Sequence, residues 1–187
     1  SFVDHLSHWS RAFNLVGPST LDQIWDRHIA DSAQLVAHAP EARTWIDLGS
    51  GAGFPGIVIA ILLRRHSEAR VTLVEAIGRK AAFLRHVGNA LDLPVDVRAE
   101  RIEAVLDAES PQWEVVTARA LAPLDRLIAL ATPALAKGAT GLFLKGANVE
   151  AELTAIPECW KKRITLLPSW TDSAARIVRV SPVDRDD

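Results

Sequence analysis

Apolar residues recur along the chain with two different periods. Phe2, Leu6, Trp9 and Phe13 fall at helical spacing and predict an amphipathic first helix, broken by Gly17-Pro18. Ser19 fits the N-cap of a second helix, with Leu21, Ile24, Trp25, His28 and Ile29 along one side. Asp31-Ser32 kinks it or opens a third helix through His38, ended by Pro40. After these first forty or so residues the pattern changes to short apolar runs alternating with amphipathic ones. Strands are predicted near 44–48, 70–75, 94–98, 113–117, 140–145, 162–167 and 175–180. Helices fall between them at 55–65, 79–91, 101–108, 123–136 and 148–155. Such alternation predicts a mainly parallel sheet with helices on both faces. The last two strands are separated only by Pro168 to Ala174, too short for a parallel crossover, so they should be antiparallel. The expectation is one α/β domain over 1–187: a helical N-terminal extension (1–40) and a core (41–187) with six parallel strands and one antiparallel strand.

The densest motif follows the first strand: Asp47-Leu-Gly-Ser-Gly-Ala-Gly-Phe-Pro-Gly56. Strand, glycine loop and helix make a nucleotide-shaped site at the carboxyl end of an open α/β sheet. Gly51 to Gly56 satisfies the literal G-x-G-x-x-G pattern of dinucleotide-binding folds, and Glu75 closes the next strand, where the ribose acid belongs. Two residues argue against a pyrophosphate. Pro55 offers no N–H where a phosphate needs one, and Asp47 would repel it. A ligand with an ammonium, a sulfonium and no phosphate suits the block better, and S-adenosylmethionine is such a ligand.

The block from Asp47 through Gly49, Gly51 and Gly53 resembles motif I of the class I S-adenosylmethionine-dependent methyltransferases. Further pieces occur in order: Asn14-Leu-Val, Arg27-His-Ile-Ala-Asp-Ser32, Arg101-Ile-Glu103, Arg119-Ala120 and Leu144-Lys-Gly146. Together they resemble the bacterial glucose-inhibited-division protein B family, the 16S ribosomal RNA guanine-N7 methyltransferases, over nearly the whole chain. The resemblance implies a Rossmann-like class I methyltransferase sheet, S-adenosylmethionine as cofactor, and 16S ribosomal RNA or the small ribosomal subunit as partner.

In that reading Gly49, Gly51 and Gly53 lie under the methionine half of the cofactor, beside Asp47. Phe54 adds backbone and ring contact, and Glu75 accepts the ribose hydroxyls. Arg101-Ile102-Glu103 matches the family's adenine turn, with Ile102 as an apolar wall. The alternative for Glu100 and Glu103 is as charges favouring a helix N-terminus, and for Glu100 it stands level with the cofactor reading. Arg119 follows the fourth strand and stands between cofactor and guanine. Lys145 ends the fifth strand on the same edge, as an RNA contact, a guanine-positioning group or a solvated strand end. Arg27 caps the cofactor pocket or touches phosphate, while His28, on an apolar helix face, reads as structural. No Asn-Pro-Pro-Tyr-type motif for amino-group methylation follows the fourth strand, where Arg119-Ala-Leu-Ala-Pro123 stands instead. That agrees with a ring-nitrogen target, which needs positioning by Arg119 and Lys145 but no general base.

Composition narrows the picture a little further. With 187 residues, 49% of them apolar, one sizeable core is expected. A net charge of −2 excludes a uniformly basic nucleic-acid glove, so any RNA site is a local patch. Arg64-Arg65, Arg79-Lys80, Arg85 and Lys161-Lys162-Arg163 read mostly as solvated faces. Cys159 is the single cysteine, which excludes an intrachain disulfide and fits the cytoplasm. No Cys/His cluster has metal spacing, so no metal is expected. Neither a membrane span nor a signal peptide is visible, and a monomer is expected. The chain lacks methionine and begins at Ser1, as a trimmed fragment would. The rival readings are a small-molecule methyltransferase with a closed apolar pocket and no basic rim, a nicotinamide-dependent oxidoreductase, and a non-catalytic ribosome-binding module.

Overall fold

The computed structural model describes residues 1–13, 15–16, 23–107 and 112–183. Helix α1 spans Phe2–Phe13, and a wide π turn, Trp25–Ala30, leads without a break into α2, Asp31–Ala37. Then follow β1 (Thr44–Leu48), α3 (Gly56–Leu63), β2 (Arg70–Val74), α4 (Gly78–Ala90), β3 (Val95–Arg98), α5 (Ile102–Asp107), β4 (Val115–Arg119), α6 (Leu124–Ala136) and β5 (Thr140–Lys145). Two short helices, α7 (Val149–Glu152) and α8 (Glu158–Lys161), precede β6 (Ile164–Pro168) and β7 (Arg176–Val180).

The seven strands form one sheet in the order β3-β2-β1-β4-β5-β7-β6. Strands β1 to β5 pair in parallel, and β7 lies antiparallel between β5 and β6. The short β6–β7 connection has the expected consequence. Side chains of successive strand residues leave the sheet on opposite faces, so Trp45 and Ile46 serve different cores. Trp45, Val71, Leu73, Val115 and Leu142 pack with α3, α4 and α2, and Phe2 and Leu6 of α1 join that layer. Ile46, Leu48, Val116, Phe143 and Val178 pack with α5 and α6 on the other side.

Three local expectations shift. Strand β4 begins two residues later than the apolar pattern suggests and ends on Arg119 rather than before it. Trp113 is buried ahead of the strand, where its indole N–H donates to Thr72 Oγ1. The Glu114 carboxylate meanwhile accepts the Arg43 and Thr44 N–H groups at the foot of β1. The second shift concerns Trp25, which is 63% exposed rather than part of an apolar side. The wide turn rotates it off the face that buries Ile24. Ser32 Oγ donates back to the His28 carbonyl, the kind of side-chain bond that bends a helix. The third is α8, which the sequence pattern did not separate from its surroundings. The proposed Ser19 cap lies outside the described residues.

Candidate active site

The strand order reverses between β1, whose neighbour on one side is β2, and β4 on the other. At such a switch point the connections leave in opposite directions and open a crevice at the carboxyl ends. The glycine loop leaves β1 there, and Arg119 leaves β4. Gly49, Gly51 and Gly53 all take left-handed backbone conformations. For Gly53 a Cβ would also lie 2.7 Å from Ile57 Cγ1, so the loop folds tightly onto α3. Above Gly51 the space is open: an added Cβ would meet only the Gly49 carbonyl, at 3.7 Å.

Two carboxylates hold this loop. Asp47 is 1% exposed. Its Oδ2 accepts the Gly56 N–H at 3.2 Å, and its Oδ1 accepts the Thr117 hydroxyl at 3.0 Å. Burial pushes its carboxyl up to about 7, against the lowering effect of hydrogen bonds from Ser50, Thr117 and Gly56. Asp47 therefore sits beneath the loop and braces it. The geometry does not present it to an ammonium group, because both oxygens are engaged inside the protein. Glu75 lies beside the loop. Oε2 accepts the Gly51 N–H at 2.9 Å and Oε1 accepts the Ile77 N–H at 2.8 Å. Each oxygen keeps a second lone pair for a ligand hydroxyl.

Beyond the loop, Phe54 is nearly buried in a ring stack. Its centroid lies 5.3 Å from that of Phe2 and 5.1 Å from that of His28, and the Arg119 guanidinium stands 6.0 Å from it on a third side. Burial, with the Arg119 and Arg27 charges nearby, pushes His28 down to about 4, so it is neutral at pH 7. His28 thus stands at the wall of the site rather than serving only a helix face. Burial also pulls Arg119 below its usual range, opposed by Asp31, whose Oδ2 is 3.9 Å from Nε. Arg119 Nη1 is enclosed and, among the described residues, has no hydrogen-bond partner. The next residue, Ala120, adopts φ of +50°, a left-handed conformation that costs a non-glycine residue about 1–2 kcal/mol. This sharp exit lays Leu121 over the glycine loop, where a Cβ on Gly49 would be 2.6 Å from Leu121 Cδ1.

An open cleft of about 760 Å³ extends from Arg119 across the end of β5. Arg27, Asp31, Lys145, Asn148, Glu152 and Asp172 line it with Arg119. Lys145 reaches the cleft, but its charge is engaged: Nζ lies 2.7 Å from Glu152 Oε2 and donates to the Ala122 carbonyl at 3.0 Å. Glu152 Oε2 also accepts the Leu124 N–H. Lys145 thus ties β5 to the β4–α6 connection and is not the solvated strand end of the sequence reading. Arg27 is exposed on the rim. Ile102 is half-buried at the start of α5 and packs on the second core, while Glu103 is exposed and pairs with Arg101 at 3.6 Å. Neither lines the cleft. Lys161 and Lys162 are exposed on and just after α8, away from it. Sequence marked Asp31 only as a helix start within a family motif, and Thr117, Ser169 and Thr171 were not singled out. Thr117, a polar residue in a buried strand, was the visible signal among them. Among the described residues no group of three or more His, Cys, Asp or Glu side chains is placed to hold a metal, and no helix is long and apolar enough to cross a membrane.

The family described as rRNA small subunit methyltransferase G matches residues 1–169. The chain belongs to this family. Its relatives include the ribosomal RNA small subunit methyltransferase G of Methylorubrum populi, 49% identical over the whole of this chain and 88% of that protein. That of Methylobacterium radiotolerans is 51% identical over 96% of this chain and 84% of its own. The fold is similar to a mutant of MtNAS solved in complex with S-adenosylmethionine, with a TM-score of 0.61 at 17% identity, covering 97% of this chain and 73% of that one. The small-molecule methyltransferase is not favoured against these relatives, and the cleft is open, with charged side chains along it, rather than closed and apolar.

S-adenosylmethionine is the cofactor of the family reading, and the residues present fit it. The open space above Gly51 and the second lone pairs of Glu75 are complementary to its backbone-facing and hydroxyl groups. Glu75→Ala should weaken cofactor binding by about 1–3 kcal/mol, the scale of hydrogen bonds to a charged acceptor. Calorimetry giving an unchanged affinity would move the ribose elsewhere.

Proposed function

We propose that this protein transfers a methyl group to N7 of a guanine in 16S ribosomal RNA. The observation that carries this reading is Arg119. It is fixed at the end of β4 against Phe54 and opens onto a cleft lined by charged side chains, with Arg27 and Asp31 of the helical extension on one side. S-adenosylmethionine would supply the electrophilic methyl group, held through Glu75 and the loop from Gly49 to Phe54. Ile102 would wall the adenine side, with Glu103 beside it. Arg119 and the braced end of β5 at Lys145 would position the base, and Arg27 would meet phosphate at the rim.

Guanine N7 carries a lone pair and no proton, so the protein has to orient and desolvate the acceptor rather than deprotonate it. The surroundings support this. Asp47, whose pKa lies near neutrality, is sealed beneath the loop, and His28 titrates far below pH 7. In paired RNA N7 faces a deep, narrow groove that side chains cannot enter, so the target comes from a loop or is extruded from its stack.

Small subunits assembled with 7-deazaguanine at the target position test the reading directly. That base keeps every other edge of guanine and lacks the nucleophile. No methyl should be incorporated, whereas undiminished transfer would exclude N7. The absence of proton chemistry makes a second prediction. His28→Ala should leave single-turnover methyl transfer within about tenfold of wild type, while removal of a general base would reduce it about 100- to 10,000-fold. A loss on the latter scale with intact cofactor binding would overturn the base-free mechanism.

A further inference from the structure

Guanine and adenine offer the same lone pair at N7, so selection between them must use other groups of the base. Guanine presents an acceptor, O6, beside the N1–H and N2–H donors. Adenine presents the reverse, an amino donor beside an acceptor nitrogen. A fixed donor next to a fixed acceptor separates them most sharply, because each matches guanine and opposes adenine. Arg119 and Asp31 are such a pair: both line the cleft, with Nε 3.9 Å from Asp31 Oδ2.

The bonding of Asp31 is asymmetric. Gln34 Nε2, Thr171 Oγ1 and Ser169 Oγ donate to Oδ1, at 2.8, 3.0 and 3.4 Å. Gln34 is itself buried, with its Oε1 accepting the Trp170 N–H at 2.9 Å. One carboxylate oxygen is therefore anchored jointly by α2 and the β6–β7 connection. Among the described residues no hydrogen bond reaches Oδ2, since the Arg119 contact is an ion pair too long to be one. An anchored carboxylate with one open oxygen, at a cleft wall and beside a guanidinium, is preorganised to read N–H donors.

We propose that Asp31 selects guanine, its Oδ2 accepting N1–H and the N2 amino hydrogen while Arg119 donates to O6. The inference rests on the guanine reading above and assigns the base specificity of that same cleft. Aspartate is required because an amide in its place would turn a donor toward donors.

The test compares wild type with Asp31→Asn on small subunits carrying guanine or inosine at the target position. Inosine lacks the N2 amino group but keeps O6, N1–H and N7. Wild type should prefer guanine by about 10- to 100-fold in kcat/KM, the scale of one hydrogen bond to a charged acceptor. In Asp31→Asn transfer to guanine should fall by at least that much and the preference should shrink to about twofold or less. Both enzymes meet the same two substrates, so an effect of inosine on RNA folding cancels in the ratio. Calorimetric affinity for S-adenosylmethionine should be retained. If Asp31 only holds the β6–β7 connection, Asp31→Asn will slow both substrates equally and leave the preference intact, which overturns the proposal. A wild type indifferent to the N2 amino group overturns it as well. Failure of the N7 reading is separate, because it shows as wild-type methylation of the 7-deazaguanine substrate.

Discussion

Gly56→Ala should destabilise the fold by about 2–5 kcal/mol and abolish measurable cofactor binding, the sum of an overpacked core and a strained buried hydrogen bond. Gly56 is the first residue of α3, where the helix starts against the sheet. An added Cβ would collide with Leu73 Cδ2 and lie 2.7 Å from Asp47 Oδ2 and 3.0 Å from Asp47 Cβ. Leu73 is fully buried in β2 and has nowhere to go. Asp47 cannot yield either, because the same oxygen accepts the Gly56 N–H and its partner oxygen is held by Thr117. Relief requires the helix to lift, and the glycine loop is attached to that helix. Denaturant unfolding and cofactor calorimetry on the variant check both parts. A variant with wild-type stability and affinity would show that Asp47 and Gly56 are not the joint between loop and sheet.

The second large effect is a pH dependence of stability. Asp47 holds its proton in the folded state up to about pH 7, whereas the unfolded carboxyl loses it near 3.8. Between those values the folded state binds more protons than the unfolded one. Stability from this group is therefore fully present below pH 3.8, falls as pH rises through the window, and is gone above about 7. About three units correspond to about 4 kcal/mol. His28 acts in the opposite sense. Its folded pKa is depressed to about 4, so stability rises with pH from there to its unfolded value of 6.5, by an amount reduced by its partial exposure. The Asp47 contribution is thus read as the difference between wild type and Asp47→Asn, measured by denaturant unfolding from pH 4 to pH 8. The asparagine oxygen can accept the Gly56 N–H. Thr117 can in turn direct its hydroxyl to the Ile46 carbonyl, at 3.4 Å, and accept from the amide. Asp47→Asn should accordingly gain on wild type as pH rises from 4 to 7. Parallel stability curves would mean that Asp47 is ionised in the fold.

Much of this protein was determined by its sequence alone. The change from helical spacing to short apolar runs set the strand–helix order, because the two periods follow from local backbone geometry. The few residues between the last two strands required an antiparallel pair, since no crossover is that short. The glycines after β1, Pro55 and the carboxylate at Glu75 marked the loop proposed to hold the cofactor, because a tight turn and a missing N–H are properties of individual residues. Roles that depend on which way a side chain turns were decided only by the tertiary structure. Asp47 was legible as an acid beside the loop, but the packing of α3 against β1 and β2 put it underneath. Lys145 was legible as a cation at a strand end, but Glu152, brought in by α7, neutralises it. Asp31 stood in a motif without a role until the β6–β7 connection, more than 130 positions away, delivered Ser169 and Thr171 to one of its oxygens. Those partners meet only because the strand order places β4 beside β1 and returns β7 against β5. Periodicity along a chain carries no record of which distant loops the sheet will bring to the same edge.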